Sequence, residues 1–125
     1  IVKKILIAAA LITAATTSQA ADWDYVASTV DGDGWFIDID SVSTTGIITT
    51  ALFKIAFEEA SSKGETGMII RRRMSCEDYS STRSSTITLY GGGNSRRTKH
   101  DVEWSYAEPD TAVRAMLEAA CAADK

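Results

Sequence analysis

Residues 109–121 read PDTAVRAMLEAAC, and the rest of the chain is read from them. Val113, Met116, Leu117, Ala120 and Cys121 recur at i, i+3, i+4, i+7 and i+8, the apolar stripe of an amphipathic helix. Pro109, the only proline, stands at the boundary, and Asp110 reads as the N-cap. Cys121 therefore falls on the buried side of a C-terminal helix. The other cysteine, Cys76, closes a run with strand periodicity. Met68, Ile70, Met74 and Cys76 share one parity, interrupted by Arg72, while Ile69, Arg71, Arg73 and Ser75 share the other. The two parity arguments are independent, and together they predict a Cys76–Cys121 disulfide that pins the last helix onto a sheet face. Two free thiols or a redox pair are the alternative, and no CxxC spacing supports it. Closing a loop of about 45 residues contributes about 4 kcal/mol in the chain-entropy picture.

Upstream of the helix the chain reads as strands. Asp22 to Thr29 alternates, with Trp23, Tyr25 and Ala27 on one face. Asp31-Gly32-Asp33-Gly34 is a hairpin turn, because Asp-Gly supplies the positive φ that such turns demand. Trp35 to Val42 sets Trp35, Ile37 and Ile39 against Phe36, Asp38 and Asp40, and Ser43 to Gly46 turns again. Ile47 to Phe57 places Ile47, Thr49, Ala51, Phe53, Ile55 and Phe57 on one side. Glu58 to Gly67 is a polar loop. Met68 to Tyr79 and Thr86 to Tyr90 are further strands, Gly91 to Asn94 is a turn, and Ser95 to Trp104 is a return strand. The expected class is α+β: an antiparallel sheet of about five to six strands with one C-terminal helix on a face.

The N-terminus sets the compartment. Lys3 and Lys4 precede an apolar run, Ile5 to Ile12, and a small-residue segment ending Ser18-Gln19-Ala20. These are the parts of a secretory signal peptide, and the run is too short for the roughly 20 residues of a membrane span. Residues 1–20 are read as the leader, with cleavage after Ala20 or, as the alternative, Ala21. The remainder, 21–125, is one small domain, and no transmembrane segment is expected. Export permits the disulfide. The 13 basic residues less Lys3 and Lys4 leave 11 against 17 acidic, a net charge near −6. General nucleic-acid binding wants the opposite balance, so no nucleic-acid partner is expected.

Little in the sequence points to catalysis. His100-Asp101 beside many serines invites a triad reading, but no GxSxG elbow is present, and adjacent strand residues point to opposite faces. A small hydrolase using His100 is the enzymatic alternative to a surface histidine. Asp31-Gly32-Asp33-Gly34 fails the calcium-loop pattern, with glycine at the fourth position and Val42 at the twelfth. Asp38 and Asp40 share a parity, and a solvated face explains them as well as a cation does. No cofactor or metal is implied. The basic clusters, Arg71 to Arg73 and Arg96 to Lys99, stand against the global charge. Arg71, Arg73, Arg96, Arg97 and Lys99, if brought close, form an anion-binding contact patch. Taken singly, each cluster also serves as a solvated or edge-protecting face.

Trp23, Val26, the Trp35-Phe36-Ile37-Asp38 unit, the Phe53-Lys54 strand, Cys76, Leu89-Tyr90, Trp104, Pro109 and Cys121 follow one another in an order that resembles the surface-adhesin protein E family of Gram-negative bacteria. The resemblance covers nearly all of the chain after the leader and rests on order and spacing. It implies a small antiparallel sheet, a C-terminal helix and a sheet-to-helix disulfide. It also implies a non-enzymatic adhesin that binds protein ligands, of the host or the envelope, at the cell surface. No contact residue carries over, since the matching positions read as scaffold. One departure stands out. Such adhesins carry lipid on a cysteine at the cleavage site, and none lies near Ala20. A soluble periplasmic accessory protein is therefore the alternative reading.

Overall fold

Alternating apolar and polar side chains build long strands, and the chain folds them back in sequence. The computed structural model describes residues 22–123, so the leader read over residues 1–20 lies outside the described residues. The strands are β1 (Trp23–Ser28), β2 (Gly34–Thr45), β3 (Ile48–Ala56), β4 (Glu65–Ser75), β5 (Ser80–Tyr90), β6 (Ser95–Lys99) and β7 (Ser105–Tyr106), and the helix is α1 (Ala112–Ala123). β1 to β6 form an antiparallel meander in chain order, and β7 pairs with β5 beside β6. This is the α+β class that the sequence predicts. β3 is the sheet's clearest strand. Thr49, Ala51, Phe53 and Ile55 are buried, and every residue between them is only half-buried.

α1 lies across one face of the sheet, the inner face. Met116, Leu117 and Ala120 are fully buried there against Ile37, Ala51, Phe53 and Met74. Cys76 and Cys121 are joined in a disulfide with their Cα atoms 5.8 Å apart. The predicted pairing is therefore present. Cys76 itself lies one residue beyond the end of β4, in the turn that leads to β5.

Several local readings are corrected. Asp110 is not the N-cap. Its φ is 64°, and Thr111 caps instead, its hydroxyl accepting from the Arg114 amide at 3.2 Å and donating to the Glu108 carbonyl at 2.7 Å. In β1, Tyr25 and Ala27 pair with Phe36 and Trp35, so Val26 is an extra residue. Val26 packs on the core, while Tyr25 turns outward to an edge-on contact with Phe36. Ile39 is exposed for a similar reason. β2 bulges between Asp38 and Ser43, and Val42 takes the core position instead. The Ser41 hydroxyl bridges that bulge, donating to the Asp38 carbonyl and accepting from the Leu52 amide.

The later strands also differ from the expected bounds. β4 starts at Glu65, inside the expected polar loop. β5 is twice the expected length because Ser80 to Ser85, without one apolar residue, pairs with β4 around a bulge at Ser84. β6 ends at Lys99, and residues 100–104 leave the sheet before β7 rejoins it.

Candidate functional site

Direct cross-strand partners project to the same side of a sheet, so the register fixes what each face displays. One continuous row runs Trp23, Asp38, Leu52, Arg71, Ser85, Lys99 from β1 to β6. The next runs Tyr25, Phe36, Lys54, Ile69, Ile87, Arg97. Both rows alternate with the buried β3 positions, so they belong to the outer face, the one α1 does not cover. Leu52, Ile69 and Ile87 floor a depression of about 270 Å³, with Trp23, Arg71, Ser85 and Arg97 around it. The Lys54 ammonium stands 6.0 Å from the Trp23 ring centre. The Arg73 guanidinium stands 5.8 Å from the Trp104 ring.

Of the five basic residues marked in the sequence, the outer face carries four. Arg71, Arg97 and Lys99 sit in the two rows, and Arg73 shares the parity of Arg71 through its partner Thr50. Arg96 does not join them. It pairs with Thr88, which pairs with Met68 and so with Ile55 of the inner face. Lys54, outside the two basic clusters of the sequence, completes the group. Its signal was available, since it alternates with Phe53 in a strand whose inner parity is unambiguous. An apolar strip flanked by cations on an open sheet face suits an acidic partner surface.

Arg72 is the other unexpected basic residue. It pairs with Ala51 and Arg83, which puts its side chain on the inner face. Its Nη1 donates to the Ser81 hydroxyl at 3.0 Å, while its Nε is buried without a partner. Burial, with Arg83 adding to it, lowers its pKa to about 10. His100, the residue on which a hydrolase reading would rest, has Nε2 2.7 Å from the Thr86 hydroxyl and lines the same cleft as Arg72. Its closest polar contact is thus a threonine on β5.

Arg114 knits the helix to the sheet end. Its guanidinium lies 4.1 Å from the Tyr79 ring centre, donates to the Ala107 carbonyl and the Tyr106 hydroxyl, and pairs with Glu118. The Tyr106 hydrogen bond is the main cause of its raised pKa.

No protein-family model matches the chain, and no curated protein matches its sequence. Solved structures do match its backbone. A crystal form of Haemophilus influenzae protein E superposes with a TM-score of 0.64 at 16% identity, covering 82% of this chain and 92% of that one. The chain has a protein E-like fold. A selenomethionine form of Haemophilus influenzae protein E gives a TM-score of 0.61 over 82% of this chain and 91% of that one, again at 16% identity. Protein E from non-typeable Haemophilus influenzae gives 0.53 at 16% identity, over 82% and 81% of the two chains. At this identity the likeness to protein E is one of fold. Among the described residues, no helix is long and apolar enough to cross a membrane.

Proposed function

We propose that this chain is a non-enzymatic, exported binding protein of the adhesin type, which holds a protein ligand at the cell surface or in the envelope through its outer sheet face. The observation that carries the reading is the open face itself. Two cross-strand rows place Arg71, Arg97, Lys99 and Lys54 around an apolar strip of Leu52, Ile69 and Ile87. Arg73 extends the same face, while Arg96 projects from the other side and stays outside the contact set. The ligand segment is acidic with some apolar character, because only that combination neutralises the cations and covers the strip. The signal-like leader at residues 1–20, the disulfide and the protein E-like fold all support export. A soluble accessory role in the periplasm is the second reading. It is compatible with the Cys76–Cys121 disulfide, a bond that the oxidising periplasm permits.

Two experiments test this. In the first, intact cells are shaved with protease beside a periplasmic control. Loss of the protein while the control survives supports surface display, and full protection moves it to the periplasm. In the second, Arg71, Arg73, Arg97 and Lys99 are changed together to Ala, and binding to the captured partner is measured across salt. Exposed ion pairs contribute about 0.2–1 kcal/mol each. The expected loss is therefore roughly 1–4 kcal/mol, or five-fold to several hundred-fold in affinity, with an unchanged melting temperature. Undiminished binding by the quadruple variant refutes the outer-face reading.

A further inference from the structure

The β5 edge of the sheet holds a second constellation, in which Arg72, Arg83 and Ser81 project from the inner side. β5 is paired on one side by β6 along Ser85 to Leu89 and by β7 at Ser80 and Ser81. Between them, residues 82–84 have no strand partner on that edge. The segment after β6 arches over this gap, with the His100 amide donating to the Ser84 carbonyl at 3.2 Å and the Glu103 amide to the Thr82 hydroxyl at 3.0 Å. A cleft of about 620 Å³ remains, its charged lining being Arg72 and Arg83 on the strands and Asp101 and Glu103 on the arching segment, with Ser81, Thr82, His100 and Trp104 also in its wall.

The charges in this cleft are unresolved by the protein itself. Arg72 and Arg83 are direct cross-strand neighbours, a like-charge pair in one wall. Neither is ion-paired among the described residues, where the one salt bridge is Arg114–Glu118. Asp101 and Glu103 face the cleft from the arching segment, are exposed, and pair with neither arginine. A half-buried guanidinium with an orphaned Nε, held against a second guanidinium, is costly unless an anion offsets it. The Ser81 hydroxyl, which accepts from Arg72 on the same side of the strand, keeps its own proton to donate into the cleft.

We propose that this cleft is a binding site for a carboxylate group, held by Arg72 and Arg83 with a hydrogen bond from the Ser81 hydroxyl. The ligand is singly charged at the point of contact. Asp101 and Glu103 repel a dianion such as sulfate but leave a carboxylate tolerated, and guanidinium groups recognise carboxylates through paired N–H donors. The cleft meets the outer face at Trp104, which stacks on Arg73, but Arg72, Arg83 and Ser81 lie outside the outer-face set, so variants at those residues test the two readings separately.

Acetate is the probe. The isotopically labelled protein is titrated with sodium acetate against sodium chloride and sodium sulfate at matched ionic strength, following the amides of Ser81 and Thr82 and the Trp104 indole. Acetate is expected to give saturable shifts confined to the cleft, with chloride inert and sulfate weaker than acetate. Arg72→Met is expected to weaken acetate binding about ten- to a hundred-fold, the worth of a charged hydrogen-bonded contact. It should not lower the melting temperature of the free protein, because it removes an unpaired buried charge. Arg83→Ala provides a second variant should Arg72→Met fold poorly, and Arg97→Ala should bind acetate like the parent. Absence of saturable shifts, their survival in both Arg72→Met and Arg83→Ala, or tighter binding of sulfate than acetate overturns the proposal.

Discussion

Removing the disulfide should weaken this protein more than any conservative change on its surface. The bond joins residues 45 apart in sequence, from the end of β4 to the last turn of α1. In the chain-entropy model a closed loop of that length contributes about 4 kcal/mol by restricting the unfolded chain. Little of this is native packing. Met116, Leu117 and Ala120 hold the helix on the sheet whether or not the sulfurs are joined. The Cys76→Ala/Cys121→Ala protein should therefore keep its fold at room temperature while losing about 4 kcal/mol, a large part of the roughly 5–15 kcal/mol typical of a domain. At this size that corresponds to a melting temperature roughly 15–30 °C lower. Urea unfolding of the parent and the double variant, followed by far-UV circular dichroism, gives the difference directly. Hydrogen exchange should show the protection loss starting at residues 118–123, the end of the helix that the bond tethers. A difference below about 1 kcal/mol would refute the reasoning, because the unfolded chain would then gain almost nothing from release of the loop.

Gly67→Ala should destabilise β4. A Cβ there would lie 2.5 Å from the Ile55 carbonyl oxygen, a backbone atom that cannot rotate away, so a cost of about 1–3 kcal/mol is expected in urea unfolding. Gly91→Ala, which meets nothing within 4 Å, should leave the midpoint unchanged. Asp78 gives a pH signature. The Ser80 hydroxyl and amide hold its carboxyl below the ordinary value, so the charged form is favoured in the folded state. A depressed folded pKa adds stability above the unfolded value of about 3.9, and that stability is lost as pH falls through the folded pKa. Melting curves of Asp78→Asn and the parent should differ near neutral pH and converge at the acid end, and a gap that stays constant with pH would exclude this role.

The sequence by itself determined the architecture wherever periodicity was long and unbroken. β3 and α1 each carry an apolar repeat that only one secondary structure satisfies, and with Cys121 on the helix stripe and Cys76 continuing the inner parity of β4 the disulfide followed. Local rules failed where neighbours outvoted them. Val26 and Val42 reached the core through bulges that alternation does not encode, and Ser80 to Ser85 became strand because β4 supplied its hydrogen bonds. Thr111 capped the helix because its hydroxyl, not the Asp110 carboxylate, met the free amide. For the candidate sites, the sequence identified the cations but not their company. Arg71, Arg97 and Lys99 share a face only through the β4–β5–β6 register, and consecutive Arg96 and Arg97 are separated by the same pleat. Arg72 looked like an interruption in a strand. Only the tertiary structure made it the wall of a cleft, because the gap in the β5 edge and the arching segment above it are set by contacts far apart in sequence.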